Sequence, residues 1–251
     1  SPSVRLDSSK LKLIGTDIDK WELKLFGLQS NSLNLIGEGN VIRSSIRKTK
    51  RRRTFESLDV SSLPNVPIGK YKVVIDPGHG GSDPGAVGIK GLKETNIVLE
   101  VSLKVADLLN QKGVNTILTR SSERTLDLQP RVTKANRSGA DAFVSIHANA
   151  TRGKNREVNG METYYYSGYK GYNLAKNIHQ QIVNASYTSP DRGIRRSRFY
   201  VIRKTSMPAA LVEIGFVTGM YDADLLRQKA YRDKMSFAIA KGILNYLKLS
   251  N

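Results

Sequence analysis

Three apolar runs in the 251-residue sequence each deliver an ionisable side chain where a buried strand would end. His79 follows the first run within DPGHGG, His147 closes the second within SIHAN, and Glu213 closes the third within LVEIG. Burying an ionisable group costs free energy unless the group is paired or bound to a metal. If the three strands are parallel neighbours, these side chains converge at one edge of a sheet and predict a functional site there.

The two strand-end histidines and one nearby acid have the composition of a metal site. A single histidine of this kind is more often a hydrogen-bonded core residue, but the pair, with two glycines after His79, favours a ligand site. Glu94 begins a predicted helix, where an acid also stabilises the helix dipole. As a third ligand it completes two imidazoles and one carboxylate, a set that leaves the fourth position of zinc open to water. We interpret His179, in a helical stretch without glycines, as a surface or packing residue.

From residue 71 onwards, strand-like and helix-like stretches alternate. The predicted strands are 71–76, 114–119, 142–147, 161–166, 199–202 and 209–214, and the predicted helices are about 94–112, 127–138, 171–186 and 222–249. This alternation predicts an α/β fold, with a layered, mostly parallel twisted sheet flanked by helices on both faces. Ligand sites in such sheets lie beyond the carboxyl ends of the strands.

Residues 1–70 differ from the rest and predict a short N-terminal β-rich or linker extension before a catalytic domain at 71–251. Residues 11–14 and 21–26 partly alternate apolar and polar side chains, as half-buried strands do. Six of the seven residues from Arg47 to Arg53 are basic, and we interpret this run as a solvated linker. Serine, proline and glycine between 61 and 69 indicate a connector.

Composition limits the classes of function. Without cysteine, any zinc must be held by His, Asp or Glu. We expect no transmembrane segment, because no stretch approaches eighteen consecutive apolar residues. A net charge of +18 favours attraction to a polyanion such as nucleic acid, anionic lipid or anionic wall polymer. The chain lacks any helix-turn-helix, zinc-finger or RNA-binding signature, so we expect no nucleic-acid partner.

Several short motifs occur in a fixed order over about residues 71–249. They are VIDPGHGG (74–81), KETN (93–96), TR (119–120), Arg131 with AN (135–136), SIHAN (145–149) and VEIGF (212–216). Each alone is weak, but the ordered set resembles the zinc-dependent N-acetylmuramoyl-L-alanine amidases, the type-3 amidase family. The sequence departs from the usual family pattern at VTGMYDADLL (217–226), which affects only the expected shape of the cleft wall.

The resemblance implies a role for four residues and one metal. Zn²⁺ is held by His79, Glu94 and His147, and Glu213 is the catalytic carboxylate. The implied reaction is hydrolysis of the amide between N-acetylmuramic acid and L-alanine of peptidoglycan stem peptides, for cell-wall remodelling or separation of daughter cells. The alternative is a catalytically inactive peptidoglycan-binding or regulatory module of the same fold.

The resemblance also implies a place and partners. We expect an exported monomer, periplasmic or associated with the cell wall. The first residues, SPSVR, carry no export signal and are typical of a mature or trimmed chain. The expected partners are peptidoglycan and an activator protein or wall-targeting domain, with residues 1–70 as the tail of such a domain.

Two features bear on substrate access. Five arginines between 192 and 203 could hold carboxylates of the stem peptide, although a solvated surface charge is the simpler interpretation of each: Arg192, Arg195, Arg196, Arg198 and Arg203. The nine residues 151–159 are polar and basic, without an apolar face that could pack over a cleft. We therefore predict an open metal cleft without a built-in plug.

Overall fold

The structure is a computed structural model that describes several separate ranges of the chain. It gives the backbone of 3–7, 10–14, 36–37 and 40–41, and residues 58–186 and 188–249 with their side chains except that of Lys154. The chain divides into two compact units, residues 1–54 and 55–251. The assignment of residues 1–70 to an extension and of 71–251 to a catalytic domain stays a prediction.

The described part of the first unit consists of four short strands. Strand β1 (Ser3–Asp7) pairs antiparallel with β2 (Lys10–Ile14), and β3 (Ile36–Gly37) pairs antiparallel with β4 (Asn40–Val41). The predicted strand at 11–14 falls within β2. The predicted strand at 21–26 and the basic run 47–53 lie outside the described residues.

A six-stranded sheet forms the centre of the second unit. Its strands are β5 (Lys72–Pro77), β6 (Asn115–Leu118), β7 (Ala142–Asn149), β8 (Met161–Tyr165), β9 (Asp191–Arg196) and β10 (Ala209–Phe216). Their order across the sheet is β6-β5-β7-β10-β8-β9. The first four strands in this order are parallel, and β8 and β9 run in the opposite direction.

Helices cover both faces of this sheet. They are α1 (Glu94–Gln111), α2 (Leu128–Arg137), α3 (Gly168–Ala185), α4 (Tyr200–Lys204), α5 (Met220–Arg227) and α6 (Lys229–Leu249). Helices α1, α3 and α6 pack over one face through residues such as Val101, Leu174 and Ile239. Helices α2 and α4 cover the other face with Val132 and Ile202. The predicted α/β architecture is confirmed.

Between residues 191 and 204, one prediction of secondary structure was wrong and one strand was missed. Residues 199–202 were predicted as a strand, but Tyr200–Lys204 form helix α4, which buries Val201 and Ile202 against the core. Such a short apolar run has no periodicity that separates a strand from one helical turn. The edge strand β9 was missed because it is basic and partly exposed, as edge strands often are.

The described residues before β5 also contribute to the core. Leu63 and Val66 are buried in the same cluster as the α1 side of the sheet. The single helical stretch predicted at 222–249 is two helices that meet at Gln228. Among the described helices, none is both long and apolar enough to span a bilayer.

Candidate metal centre and cleft

His79 lies in a turn directly after β5, with its backbone in the left-handed region at φ 58°. This conformation is uncommon for a residue with a Cβ and costs roughly 1–3 kcal/mol unless its surroundings hold it. The preceding residue must be glycine, because a Cβ at Gly78 would lie 2.2 Å from Cε1 of His147. The close approach of the two imidazoles therefore depends on Gly78.

Two buried arginines bind the carbonyl oxygens of this turn. Arg131 donates from Nη1 to the Pro77 oxygen and from Nη2 to the His79 oxygen, each at 2.5 Å. Arg120 donates from Nε to the Pro77 oxygen at 3.1 Å and from Nη2 to the Gly78 oxygen at 2.7 Å. Charge-assisted hydrogen bonds in a buried setting are among the stronger kind. They hold the strained turn in the one conformation that presents His79.

Asp76 anchors the arginine network to the sheet. Its carboxylate is buried and accepts from Arg131 Nη1 at 2.9 Å and from Thr119 Oγ1 at 2.6 Å. Its second oxygen accepts from Ser145 Oγ on the neighbouring strand β7 at 2.8 Å. The network thus links the His79 turn to strand β7, which also carries His147.

Glu94 reaches the histidines from the first residue of helix α1. Its Oε1 lies 3.2 Å from Nε2 of His79 and 3.0 Å from Nδ1 of His147, and it accepts from the Ala148 amide at 3.0 Å. Its Oε2 accepts from the Ala86 amide at 2.9 Å. The carboxylate is held by backbone amides on both sides, so its orientation is fixed before any ligand arrives.

The three side chains form one compact cluster. The candidate ligand atoms of His79, Glu94 and His147 all lie within 4.8 Å of one another. The two imidazole rings meet edge to face, with centroids 5.0 Å apart and an interplanar angle of 81°. The structure therefore brings together the three residues that the sequence predicted as ligands.

The protonation of this cluster follows from its contacts. Burial alone would raise the pKa of Glu94, but hydrogen bonds to His147 and His79 outweigh burial and hold that pKa well below its usual range. Burial alone would lower the pKa of His79, but hydrogen bonds and charge from Glu94 and Asp83 raise it to about 8. Asp83 Oδ2 lies 2.7 Å from Nδ1 of His79. In the charged form of His79, Nδ1 donates to Asp83 and Nε2 donates to Glu94.

Glu213 lies next to this cluster, on the central strand β10. Its Cα is paired in register with that of His147 on β7. The residue is only 8% exposed, and among the described residues no hydrogen-bond partner reaches its Oε2. Burial, together with the negative charges of Glu94 and Glu162, raises the pKa of Glu213 well above its usual range.

Glu162 is a second buried carboxylate beside Glu213, directly opposite it in the β10–β8 register. Unlike Glu213, it is fully hydrogen-bonded. It accepts from Arg192 Nε at 2.7 Å, from Asn149 Nδ2 at 3.0 Å and from the Tyr164 hydroxyl. Burial opposes ionisation, but these hydrogen bonds and the Arg192 charge lower the pKa of Glu162. Two adjacent acids therefore have opposite environments.

A cleft of about 260 Å³ opens beside the histidines on the α2–α4 face of the sheet. The side chain of His79 is 25% exposed and that of His147 is 18% exposed. Apolar side chains form much of the wall: Leu126, Leu128, Phe199, Val201 and Leu211. Asp76 and Arg131 lie at its base, below the His79 turn.

The segment between β7 and β8 is described from 150 to 160, apart from the side chain of Lys154. It contains one short 3-10 turn, Arg152–Lys154, and no longer helix. This local structure agrees with the surface loop that the polar sequence predicted, and the histidines next to it are partly exposed.

His179 lies away from the metal cluster, buried on helix α3. Its Nδ1 is 2.9 Å from Thr163 Oγ1 and its Nε2 is 2.8 Å from Asp191 Oδ1. Both ring nitrogens therefore have partners in the packing of α3 on the sheet.

Sequence reasoning missed two residues that shape the site. Asp83, four residues after His79 in the same turn, orients the imidazole. Glu162 was read only as part of a strand, although it is an acid flanked by residues with buried side chains, Met161 and Thr163. An acid at a buried strand position is the signal that would have identified it.

A sequence model described as N-acetylmuramoyl-L-alanine amidase matches residues 73–245. The N-acetylmuramoyl-L-alanine amidase LytC of Bacillus subtilis is 40% identical over 191 residues, which are 75% of this chain and 38% of LytC. The chain thus spans well under half of that relative.

Solved structures give the same result for the second unit. The N-acetylmuramoyl-L-alanine amidase AmiC2 of Nostoc punctiforme is 47% identical with a TM-score of 0.69, covering 72% of this chain and 99% of that chain. The CwlD amidase of Clostridioides difficile, solved in complex with the GerS lipoprotein, is 28% identical with a TM-score of 0.67, covering 71% and 99%.

Proposed function

This chain belongs to the N-acetylmuramoyl-L-alanine amidase family, and we propose from that premise that it hydrolyses peptidoglycan with a zinc ion bound by His79, Glu94 and His147. Glu213 is the catalytic carboxylate in this proposal. The observation that carries it is the convergence of the three ligand atoms within 4.8 Å, one strand away from a buried acid that lacks a partner at Oε2.

The donor set fits zinc. Two imidazoles and one carboxylate are a common set for catalytic zinc, and they leave a position for water or substrate. Asp83 bound to the far nitrogen of His79 is the outer carboxylate that such histidines usually carry. Glu94 has a strongly lowered pKa and is ionised across the physiological range, as a ligand must be. The chemistry that zinc supplies in such a set is Lewis acidity, which acidifies water and polarises a carbonyl.

Glu213 supplies the proton transfers. Burial raises its pKa above the usual value for a glutamate, which is the direction in which enzymes tune a carboxylate for general acid–base work. As water adds to the amide carbon, Glu213 accepts the proton of that water. It then delivers a proton to the amide nitrogen, the carbon–nitrogen bond breaks, and a carboxylic acid and a free amine leave. The unsatisfied Oε2 is the atom available for this exchange.

The substrate assigned here is the amide between N-acetylmuramic acid and L-alanine of the stem peptide. The partly exposed histidines give this amide access, and the apolar wall of the cleft excludes water from one side of it. Residues 1–70 then act as an extension or wall-targeting tail to a catalytic domain at 71–251. The place of action is the cell wall after export, as the names of relatives such as the probable cell wall amidase LytH suggest.

A partner protein is the remaining part of the proposal. The CwlD relative was solved with the GerS lipoprotein, and we infer that an activator or a wall-targeting domain also acts on this chain. The net charge of +18 favours an anionic wall surface as the place of binding.

The test is digestion of purified peptidoglycan by the whole chain, with free stem peptides read by mass spectrometry. Untreated protein should release peptides with a free amino-terminal alanine, chelator should stop the release, and added zinc should restore it. Stoichiometric zinc and binding to sacculi without release would favour the inactive binding module instead. Release that chelator leaves unchanged would contradict the zinc assignment.

A further inference from the structure

The five arginines between 192 and 203 occupy different environments, so the structure separates them. Arg203 lies over the ring of Tyr200, with its Cζ 5.8 Å from the ring centroid, and Arg198 lies over Tyr166 at 5.9 Å. Arg196 is on the opposite face of the sheet edge from the cleft, and it lines a recess there with Tyr165.

Arg192 points to the cleft face, but its charge is already neutralised. Its Nε donates to Glu162 at 2.7 Å, and Glu162 is buried. The remaining oxygen of Glu162 is occupied by Asn149 and Tyr164. Withdrawing Arg192 towards a ligand would leave a buried carboxylate unpaired, which is strongly unfavourable. Arg192 is therefore part of the framework of the cleft.

Arg195 is the second arginine of β9 on this face, and it is paired less closely than Arg192. It is paired in register with Tyr164, so both side chains project from the same side of the sheet. Within the described part of the chain, Arg195 pairs with Glu162, with Nη2 lying 3.6 Å from Oε1. Arg192 already binds the same oxygen more closely, at 2.7 Å. Its hydrogen bonds to the Arg192 carbonyl are long, at 3.4 Å, and its side chain is 52% exposed.

The position of Arg195 continues the cleft. The register places Leu211, Tyr164 and Arg195 in one row across β10, β8 and β9, next to the row of Glu213 and Glu162. With strands about 4.8 Å apart, two strand spacings separate Arg195 from β10 by roughly 10 Å. Tyr164 lies between β10 and Arg195 in this row. Its ring packs edge to face on Phe199 of the cleft wall, with the ring centroids 5.1 Å apart.

We propose that Arg195 forms a carboxylate-binding subsite at the end of the cleft. The inference rests on the proposed function, because the ligand is an ionised carboxylate of the stem peptide whose amide is cut beside Glu213. An extended peptide covers roughly 3.3–3.6 Å per residue. A span of about 10 Å therefore selects a carboxylate within about three residues of the scissile amide. A guanidinium fork binds a carboxylate through two parallel hydrogen bonds.

The test compares two soluble N-acetylmuramoyl dipeptides as substrates for the whole zinc-loaded chain. One carries a free carboxylate on its second residue, and the other carries a carboxamide there. The parent should prefer the carboxylate by about tenfold in kcat/KM, mainly through KM, as hydrogen bonds to charged groups are worth more than neutral ones. Arg195→Gln should abolish the preference. Arg196→Gln, its neighbour on the opposite face, should keep it.

The outcomes separate this inference from the proposed function. If the parent cuts both dipeptides equally, or if Arg195→Gln retains the preference, the subsite is wrong while the amidase activity stands. An equal loss of preference in Arg195→Gln and Arg196→Gln would mean general surface charge and would also overturn it. If the parent cuts neither dipeptide nor peptidoglycan, the proposed function fails and the subsite fails with it.

Discussion

His79 and Glu213 both lie beside His147, but they belong to different kinds of structure. His79 lies on a strained turn outside the sheet. Two buried arginines bind the backbone carbonyl oxygens of this turn, and Asp83 binds the imidazole ring. Glu213 lies within the central strand β10, just before a shift in its register with β7, and its own carboxylate has an unsatisfied oxygen among the described residues. The His79 side chain and its turn are held by many hydrogen bonds, whereas Oε2 of Glu213 has none among the described residues.

In the proposed mechanism, this difference matches the separate roles of a metal ligand and a general base. A metal ligand must hold one orientation. The hydrogen bonds around His79 hold that orientation even though the backbone of the turn is strained. A general base must exchange a proton, so a hydrogen bond that favoured its ionised form would lower the pKa that makes it useful. Glu162 lies beside Glu213 and is paired with Arg192, and its pKa is lowered. It shows that a neighbouring buried carboxylate with all its hydrogen bonds made has the opposite pKa shift.

Removing the imidazole itself should have the largest effect on the metal side. His79→Ala should lose bound zinc and all measurable activity, because one of three ligands is gone. The loss in zinc affinity should exceed the roughly 10–100-fold that removal of an outer partner costs. The measurement is zinc content after dialysis, with His179→Gln as the control that keeps its zinc. Full zinc occupancy in His79→Ala would remove it from the ligand set.

Removing the support of the turn should have a smaller effect. Arg131→Gln leaves the His79 carbonyl and the buried Asp76 without their main donor. We expect zinc affinity to fall about 10–100-fold, and the free energy of unfolding to fall by about 3–5 kcal/mol because a buried pair is broken. Chelator competition and urea unfolding measure the two effects.

The control for this variant is Arg137→Gln, an exposed arginine on the same helix. It should leave both zinc affinity and stability close to those of the parent. Unchanged zinc affinity in a stably folded Arg131→Gln protein would show that the turn holds its conformation without the arginine.

Protons should compete with zinc at His79. Its pKa of about 8 without metal is raised above the usual value, so the charged form accumulates as the pH falls through 8. Zinc binds the neutral imidazole, so lowering the pH from about 9 to about 7 should weaken binding about tenfold. Asp83→Asn removes one hydrogen bond that raises this pKa, and it should move the dependence to lower pH. A flat affinity over this range would contradict the assignment of His79.

The clustering of the candidate residues could be predicted from the sequence, because each lies in a short motif at a strand end or helix start. His79, Glu94, His147 and Glu213 needed only the parallel order of β5, β7 and β10 to meet, and alternating elements predict that order. The positions of β9 and α4 were beyond such reasoning. Whether residues 191–204 form a strand or a helix depends on which face of the sheet their basic and apolar side chains pack against. Tertiary packing decides this, not local sequence.

The pairing of Glu162 with Arg192 could not be predicted either. The two residues are 30 positions apart, and they meet because β9 lies at the sheet edge beside β8. For the same reason, the five arginines between 192 and 203 are equivalent in the sequence, and only the structure separates their environments. A role can be assigned to a charged side chain on an exposed strand only when the face it lies on and its neighbours are known.

The most direct test of the central claim is the zinc content and the peptidoglycan-cleaving rate of Glu213→Gln, measured on the same preparation. The amide is nearly the same size but cannot accept the proton of water. The variant should therefore bind zinc fully and unfold no more easily than the parent, while its rate falls by about 10²–10⁴-fold. A rate within about tenfold of the parent, with zinc bound, would show that Glu213 is not the general base.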